Sequence, residues 1–259
     1  MLRVGRIPYL NCEPFFHRLS GVELVDLIPR RLGEAMAAGR LDAGPLSLID
    51  YLRIESELTP LPYGIGCPTG ARSVLVFSDR PLSALRGARL GITGETSTSV
   101  ELLRVLLALR YEAEPAAWAT ADEPCDAVLL IGDQAIRRLT GGPHARYVTD
   151  LGLEWREWTG LPFVFALWQI AAGPERDAEL LALQETLRES MRYFEEHIDE
   201  LAARHAATYG LSPEHLAGYW QSLEYGLDER QQRGLVHFYR CAVELGEAPA
   251  VPELRWITG

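Results

Sequence analysis

The chain has 259 residues, 47% of them hydrophobic and 24% charged, a balance that fits one large domain or two smaller ones. Its formal net charge of −11, with no Arg-rich block, argues against a nucleic-acid partner. All 25 Lys+Arg positions are arginine, which excludes a lysine Schiff base and a P-loop.

The first third alternates strand-like and helix-like stretches. LRVGRI predicts a strand, and CEPFFHRL a short helix after it. VELVDLI is a second strand and RRLGEAMAAG a helix, followed by the short strand LDAGPL and the helix SLIDYLRI. This rhythm predicts a mostly parallel sheet covered by helices. ARSVLVFS is a short β segment of its own. ARLGIT then reads as a strand and TSVELLRVLLALRY as a helix, with Val100, Leu103, Leu107 and Tyr111 along one face. CDAVLLIGD has the pattern of a buried strand, and QAIRRL continues as helix.

The polar stretch EWREWTG is followed, after Leu161 and Pro162, by FVFALW, six apolar residues that suffice for a buried strand but not for a membrane span. From Pro174 onward the pattern is helical, with Leu180, Leu183, Leu187, Met191, Phe194, Ile198 and Leu201 at three- and four-residue steps. Two more helices are predicted with Ser212 and Asp228 as N-caps.

Two α/β units of similar style are thus joined by two β segments, SVLVFS leading out and FVFALW leading back. Read as hinge strands, they predict one lobe from residues 1–75 and 168–259, carrying the C-terminal helices, and a second from 76–167. They should run side by side, with Trp168 near the cleft or the hinge core. A cleft at such a junction is a favoured ligand site.

In parallel sheets ligands sit beyond the carboxyl ends of the strands, and four loops there offer polar groups. PYLNCEP presents Asn11, an uncharged donor and acceptor, whose alternative role is an Asx turn. Cys12 beside it is expected as a buried thiol. GPLSLID pairs Ser47 with Asp50, and GETSTSVE pairs Thr98 with Glu101, both at capping-box spacing. Ser97, Thr98 and Ser99 supply more hydroxyls than a cap needs, so a carboxylate-binding helix end is expected there. LLIGDQA offers Gly132 for close backbone approach and Asp133 as a ligand contact or N-cap. Ser73 begins the outgoing β segment.

The histidines His17, His144, His197 and His237 read as lying in exposed helix or loop, and none is assigned a catalytic role. Cys12, Cys67, Cys125 and Cys241 lack metal-ligand spacing and read as reduced thiols, with no metal site expected. MLRVGRIPYL enters a strand at once and shows no signal peptide, so a cytoplasmic location is expected.

RVGRIPYLNCEP, GRLDAGPLSLIDYL, ARSVLVFS, TSTSVELLRVLL, AVLLIGDQAI and DLGLEWREWTGLPFVFALW occur here in the order seen in the chorismate dehydratases of the futalosine route to menaquinone, and the chain resembles that family over residues 2 to 170. The resemblance implies a two-lobed α/β fold of the type II periplasmic-binding-protein kind. It implies dehydration of the dicarboxylate chorismate to 3-[(1-carboxyvinyl)oxy]benzoate without metal or organic cofactor, with Asn11 and Ser73 at the important active-site positions. Ser47, Ser97, Thr98, Ser99, Gly132 and Asp133 are then expected to bind substrate, and Phe163 to form part of its wall unless it packs in the core. The alternatives are a non-catalytic receptor for a small carboxylate, a ligand sensor, and the sister enzyme 1,4-dihydroxy-6-naphthoate synthase. That enzyme's SPCPND-like opening is replaced here by YLN.

Overall fold

The computed structural model describes residues 1–54, 58–142, 145–171, 177–247 and 250–252. They form two compact units: Met1–Ile65 with Ala166–Leu227 and Pro252, and Gly66–Phe165 with 228–251. The predicted start of the helical tail at Pro174 and the loop histidine His144 lie outside the described residues.

Unit 1 is built on a six-stranded sheet. Its strands are β1 (Leu2–Arg6), β2 (Val22–Asp26), β3 (Ala43–Ser47), β4 (Leu58–Cys67), β10 (Phe163–Ala171) and β11 (Glu224–Gly226), in the order β11-β4-β10-β3-β1-β2. β1 runs parallel to both β2 and β3, and β10 is antiparallel to β3 with Ala166 opposite Ser47. All five residues of β3 are buried, which explains its unbroken small and apolar run AGPLS. Among the described residues, the α-helices of this unit are α1 (Pro29–Ala37), α2 (Leu48–Ile54), α6 (Asp177–His205) and α7 (Pro213–Gln221). α1 opens on Pro29, where the missing N–H costs nothing. α7 is capped by Ser212, whose hydroxyl accepts from His215 N.

The core of unit 1 is aromatic. Trp168 is fully buried, with its ring edge-on to Phe15 at 5.5 Å, and Phe194 meets Trp220 at 5.4 Å. Each edge-to-face pair adds about 0.5–1.5 kcal/mol beyond its buried area. The segment CEPFFHRL forms only a single 3-10 turn, Glu13–Phe15.

Unit 2 contains a five-stranded sheet in the order β7-β6-β8-β5-β9, made of β5 (Val74–Ser78), β6 (Arg89–Ile92), β7 (Ala117–Thr120), β8 (Ala127–Ile131) and β9 (Tyr147–Asp150). β6 is parallel to β7 and β8, whereas β5 is antiparallel to β8 and β9. The helices are α3 (Thr98–Val105), continued by a π-helical turn over Leu106–Arg110, then α4 (Gly132–Gly141), α5 (Leu151–Thr159) and α8 (Glu229–Glu244).

Two readings change here. The outgoing crossing lies within β4, which leaves unit 1 after Ile65, while SVLVFS is wholly inside unit 2. The chain returns to unit 1 within β10, and β4 and β10 are hydrogen-bonded neighbours. Gly64 permits this, because a Cβ there would lie 2.6 Å from the Ala166 carbonyl oxygen. The helical tail is also divided. α8 groups with unit 2, where Phe238 packs on Phe163 at 5.0 Å and Gly234 lies against the carbonyl of Pro162. Its cap is the expected Asp228, in a full capping box with Gln231.

Candidate functional site

In unit 1, Asn11 and Ser47 follow or end parallel strands, β1 and β3, so both stand at the carboxyl end of the sheet. The turn bearing Asn11 is fixed by Cys12 N donating to Tyr9 O (2.9 Å) and by the indole N–H of Trp220 donating to Leu10 O at 2.7 Å. The Asn11 Oδ1 atom is buried and meets no hydrogen-bond donor among the described residues. A buried amide oxygen without a donor is costly, and a ligand hydroxyl would satisfy it. Cys12 is fully buried, as a structural thiol would be. Ser47 caps α2: its hydroxyl donates to Asp50 Oδ2 at 2.7 Å and accepts from Asp50 N at 3.1 Å.

In unit 2 the polar groups gather at one end of the sheet. Because β5 is antiparallel to β8, the residue before β5 lies beside the carboxyl end of β8. There the Ser73 carbonyl accepts the Gly132 N–H at 2.7 Å. Gly132 has φ +54°, a conformation glycine adopts without steric cost, and it opens α4. The loop after β6 reaches the same place, where the Thr93 hydroxyl donates to Gln134 Oε1 at 2.9 Å. The N-termini of α3 and α4 therefore stand at the same sheet end as Ser73, in the arrangement that suits an anion.

α3 starts differently from the expected Thr98 cap. Thr96 Oγ1 accepts from Ser99 N at 3.2 Å, and Ser97 makes no side-chain cap. Thr98 and Ser99 are buried in the first turn, and Ser97 is half-buried. Asp133 likewise sits inside the first turn of α4, where its charge complements the helix dipole, rather than capping it. Phe163 is fully buried among Trp155, Phe165 and Phe238, which makes it a core residue.

The sequence reading missed Asp150, which organises this sheet end. Its Oδ1 accepts from Ala71 N (3.0 Å), Gly152 N (2.9 Å) and Leu153 N (3.2 Å), and its Oδ2 from Arg72 N (2.7 Å). It thus caps α5 and clamps the turn before Ser73, where Arg72 is held at φ +57°. Gly70 and Gly152 leave room for this approach, since a Cβ at Gly70 would sit 2.9 Å from Asp150 Oδ2. An aspartate just before LGLE is an N-cap signal that sequence reading could have used.

Two histidine readings also change. The ring of His17 lies among Tyr193, Phe194 and His205, and His237 lies against Trp155 at 5.3 Å. Burial, reinforced by His205, Arg204 and Arg18, holds the His17 imidazole at a pKa of about 4, so it is neutral at physiological pH. Among the described residues no group of three or more His, Cys, Asp or Glu side chains could hold a metal ion, and no helix is long and apolar enough to cross a membrane.

Comparison with known proteins agrees with this architecture. Over 258 residues the chain is 32% identical to the chorismate dehydratase of Thermus thermophilus, covering 91% of this chain and 93% of that protein. It is 29% identical over 275 residues to the 1,4-dihydroxy-6-naphtoate synthase of the same organism, covering 97% of each. Among solved structures, an Archaeoglobus fulgidus protein matches with a TM-score of 0.73 at 23% identity, covering 95% of this chain and 97% of that one. The periplasmic aliphatic sulphonate binding protein of Escherichia coli matches with a TM-score of 0.64 at 17% identity, covering 100% and 94%, so the fold is that of periplasmic binding proteins. A family described as menaquinone biosynthesis matches residues 2–244, and the chain belongs to that family.

Proposed function

We infer that the protein is a chorismate dehydratase, converting chorismate to 3-[(1-carboxyvinyl)oxy]benzoate by loss of one water. The observation that carries this reading is a placement in unit 2: Ser73, the Thr93–Ser99 turn and the Gly132 helix end share one sheet end, so the positive ends of the α3 and α4 dipoles stand together where a carboxylate is favoured. The family supports it, and the greater identity to the dehydratase than to the naphthoate synthase favours this activity over its sister.

The reaction removes the ring proton on the carbon bearing the enol ether and expels the neighbouring hydroxyl, so the ring becomes aromatic. That driving force leaves the protein two tasks, orientation and stabilisation of developing charge. Orientation alone can supply ~7–11 kcal/mol. In this reading Asn11 holds and polarises the substrate through its side-chain amide, which accepts at the buried Oδ1 and donates from its N–H groups. Ser73 positions one carboxylate, the start of α3 with Ser97, Thr98 and Ser99 anchors an anion, and Ser47 supports the turn at its sheet end. Asp133, with Gly132 beside it, assists departure of the hydroxyl. A substrate carboxylate takes the proton, because these loops bring no histidine to act as base. The reading places the protein in the cytoplasm, where a biosynthetic enzyme meets its substrate.

The test is incubation of the purified protein with chorismate, followed by absorbance and mass. Conversion over many equivalents to a product lighter by one water is expected. Saturable binding of chorismate with no conversion would establish a receptor instead.

A further inference from the structure

Unit 2 holds a cavity of about 420 Å³, within the usual range for small-molecule sites. Its lining includes Arg86, Leu107, Glu112, Glu114, Trp118 and Leu245. Arg86 precedes β6, Glu112 and Glu114 precede β7, and Trp118 is the second residue of β7. The cavity therefore stands at the amino ends of two parallel strands, the opposite end of β6 from the Thr93–Ser99 turn.

Three structural irregularities meet there. The backbone leaves α-helical geometry for a π-helical turn at Leu106–Arg110, a feature frequent at functional sites. Glu112 follows with φ +49°, an uncommon conformation for a residue with a side chain. Trp118 keeps 36% of its surface exposed, with the Arg104 guanidinium over its ring at 5.0 Å. The segment is also built firmly: the Arg86 guanidinium donates to the Glu112 carbonyl, Gly87 N to the Glu114 carbonyl (2.8 Å), and Ala113 N to the Leu107 carbonyl (2.8 Å).

The charges decide the ligand. Arg104 is answered by Glu247 at 3.1 Å and Glu101 at 3.8 Å, so it serves as a wall that orients Trp118. Arg86, Glu112 and Glu114 are exposed, the Arg86 guanidinium uses one N–H on the Glu112 carbonyl, and the two carboxylates are engaged by no side chain among the described residues, which leaves all three able to face a ligand. A ligand that answers all of these groups carries an ammonium for the glutamates, a carboxylate for Arg86, and a planar ring for Trp118 and the flanking leucines. We propose that this cavity binds a zwitterionic aromatic amino acid. The inference is independent of the chorismate reading, because none of its residues takes part there.

The experiment is calorimetric titration of the full chain with L-phenylalanine, 3-phenylpropionate and phenethylamine, repeated with Glu112→Gln, Arg86→Gln and Trp118→Ala. One saturable site for L-phenylalanine is expected, with each analogue about tenfold weaker, the loss of one charged partner. Glu112→Gln and Arg86→Gln should weaken binding by a similar factor, Glu112→Gln at an unchanged thermal midpoint, which holds whether or not Trp118→Ala folds. The proposal is overturned by absence of saturable binding, by either analogue binding as well as the amino acid, or by affinity that neither Glu112→Gln nor Arg86→Gln alters.

Discussion

Replacing Asp150 by alanine removes one carboxylate and four hydrogen bonds. Two of them, to Gly152 and Leu153, cap α5, and an N-cap is worth about 1 kcal/mol. The other two, to Ala71 and Arg72, are charge-assisted bonds across 79 and 78 residues of chain, worth roughly 1.5–3 kcal/mol each where water cannot replace them. Arg72 is exposed, so water recovers part of that, and the total comes to about 2–4 kcal/mol. For a chain of this size that lowers the thermal midpoint by roughly 4–15 °C. Without its clamp, Arg72 has little reason to stay at φ +57°. Ser73 then loses its place against Gly132, and chorismate turnover should fall further than the loss of folded protein explains. Adding Arg72→Gly restores about 1 kcal/mol, because glycine adopts that φ unaided. The assay is thermal unfolding with steady-state turnover on Asp150→Ala, Arg72→Gly and the double variant. A drop under about 1 kcal/mol, or a glycine that deepens the defect, would refute the clamp.

Gly234→Ala puts a Cβ 2.1 Å from the Pro162 carbonyl oxygen, and a backbone atom cannot move aside cheaply. A loss of about 1–3 kcal/mol is expected in denaturant unfolding, and an unchanged midpoint would show that α8 packs elsewhere. His17, held near a pKa of about 4 by burial, binds its proton more weakly when folded than when unfolded. Its contribution is therefore complete above the unfolded value of about 6.5 and is lost as pH falls toward 4. His17→Gln should flatten the stability profile in that window, and an unaltered slope would mean that the ring is solvated. Turnover should be level from about pH 6 to 9, since amides, hydroxyls and backbone N–H groups do not titrate there and a carboxylate stays ionised. A limb centred near 6.5 would reveal a histidine base.

Much of the fold was legible because burial leaves a pattern. β3 and β8 are short apolar runs, and Ser212 and Asp228 each precede an acidic first turn, so strands and caps could be read locally. β4 was not legible, because Pro60, Pro62, Gly64 and Gly66 read as turn residues, although Gly64 is what lets β10 come close. The Asp228 cap located the start of α8, but no local signal showed which core that helix enters. In the candidate site the strand-end rule pointed to the loops bearing Asn11, Ser47 and Gly132, while Ser73 was legible only as the start of a β segment. The role of Asp150 depends on bonds to residues nearly 80 positions away, which no local spacing records. Phe163 shows the reverse limit: an aromatic beside a motif is still most often core.

The central claim is that neutral groups, Asn11 foremost, perform the dehydration. It is tested most directly by measuring chorismate conversion by the native protein beside Asn11→Ala, with folding checked in both. The expected result is steady conversion by the native chain and a loss of about a hundredfold or more in the variant, the usual cost of removing one polarising donor. Near-native turnover by Asn11→Ala would contradict it.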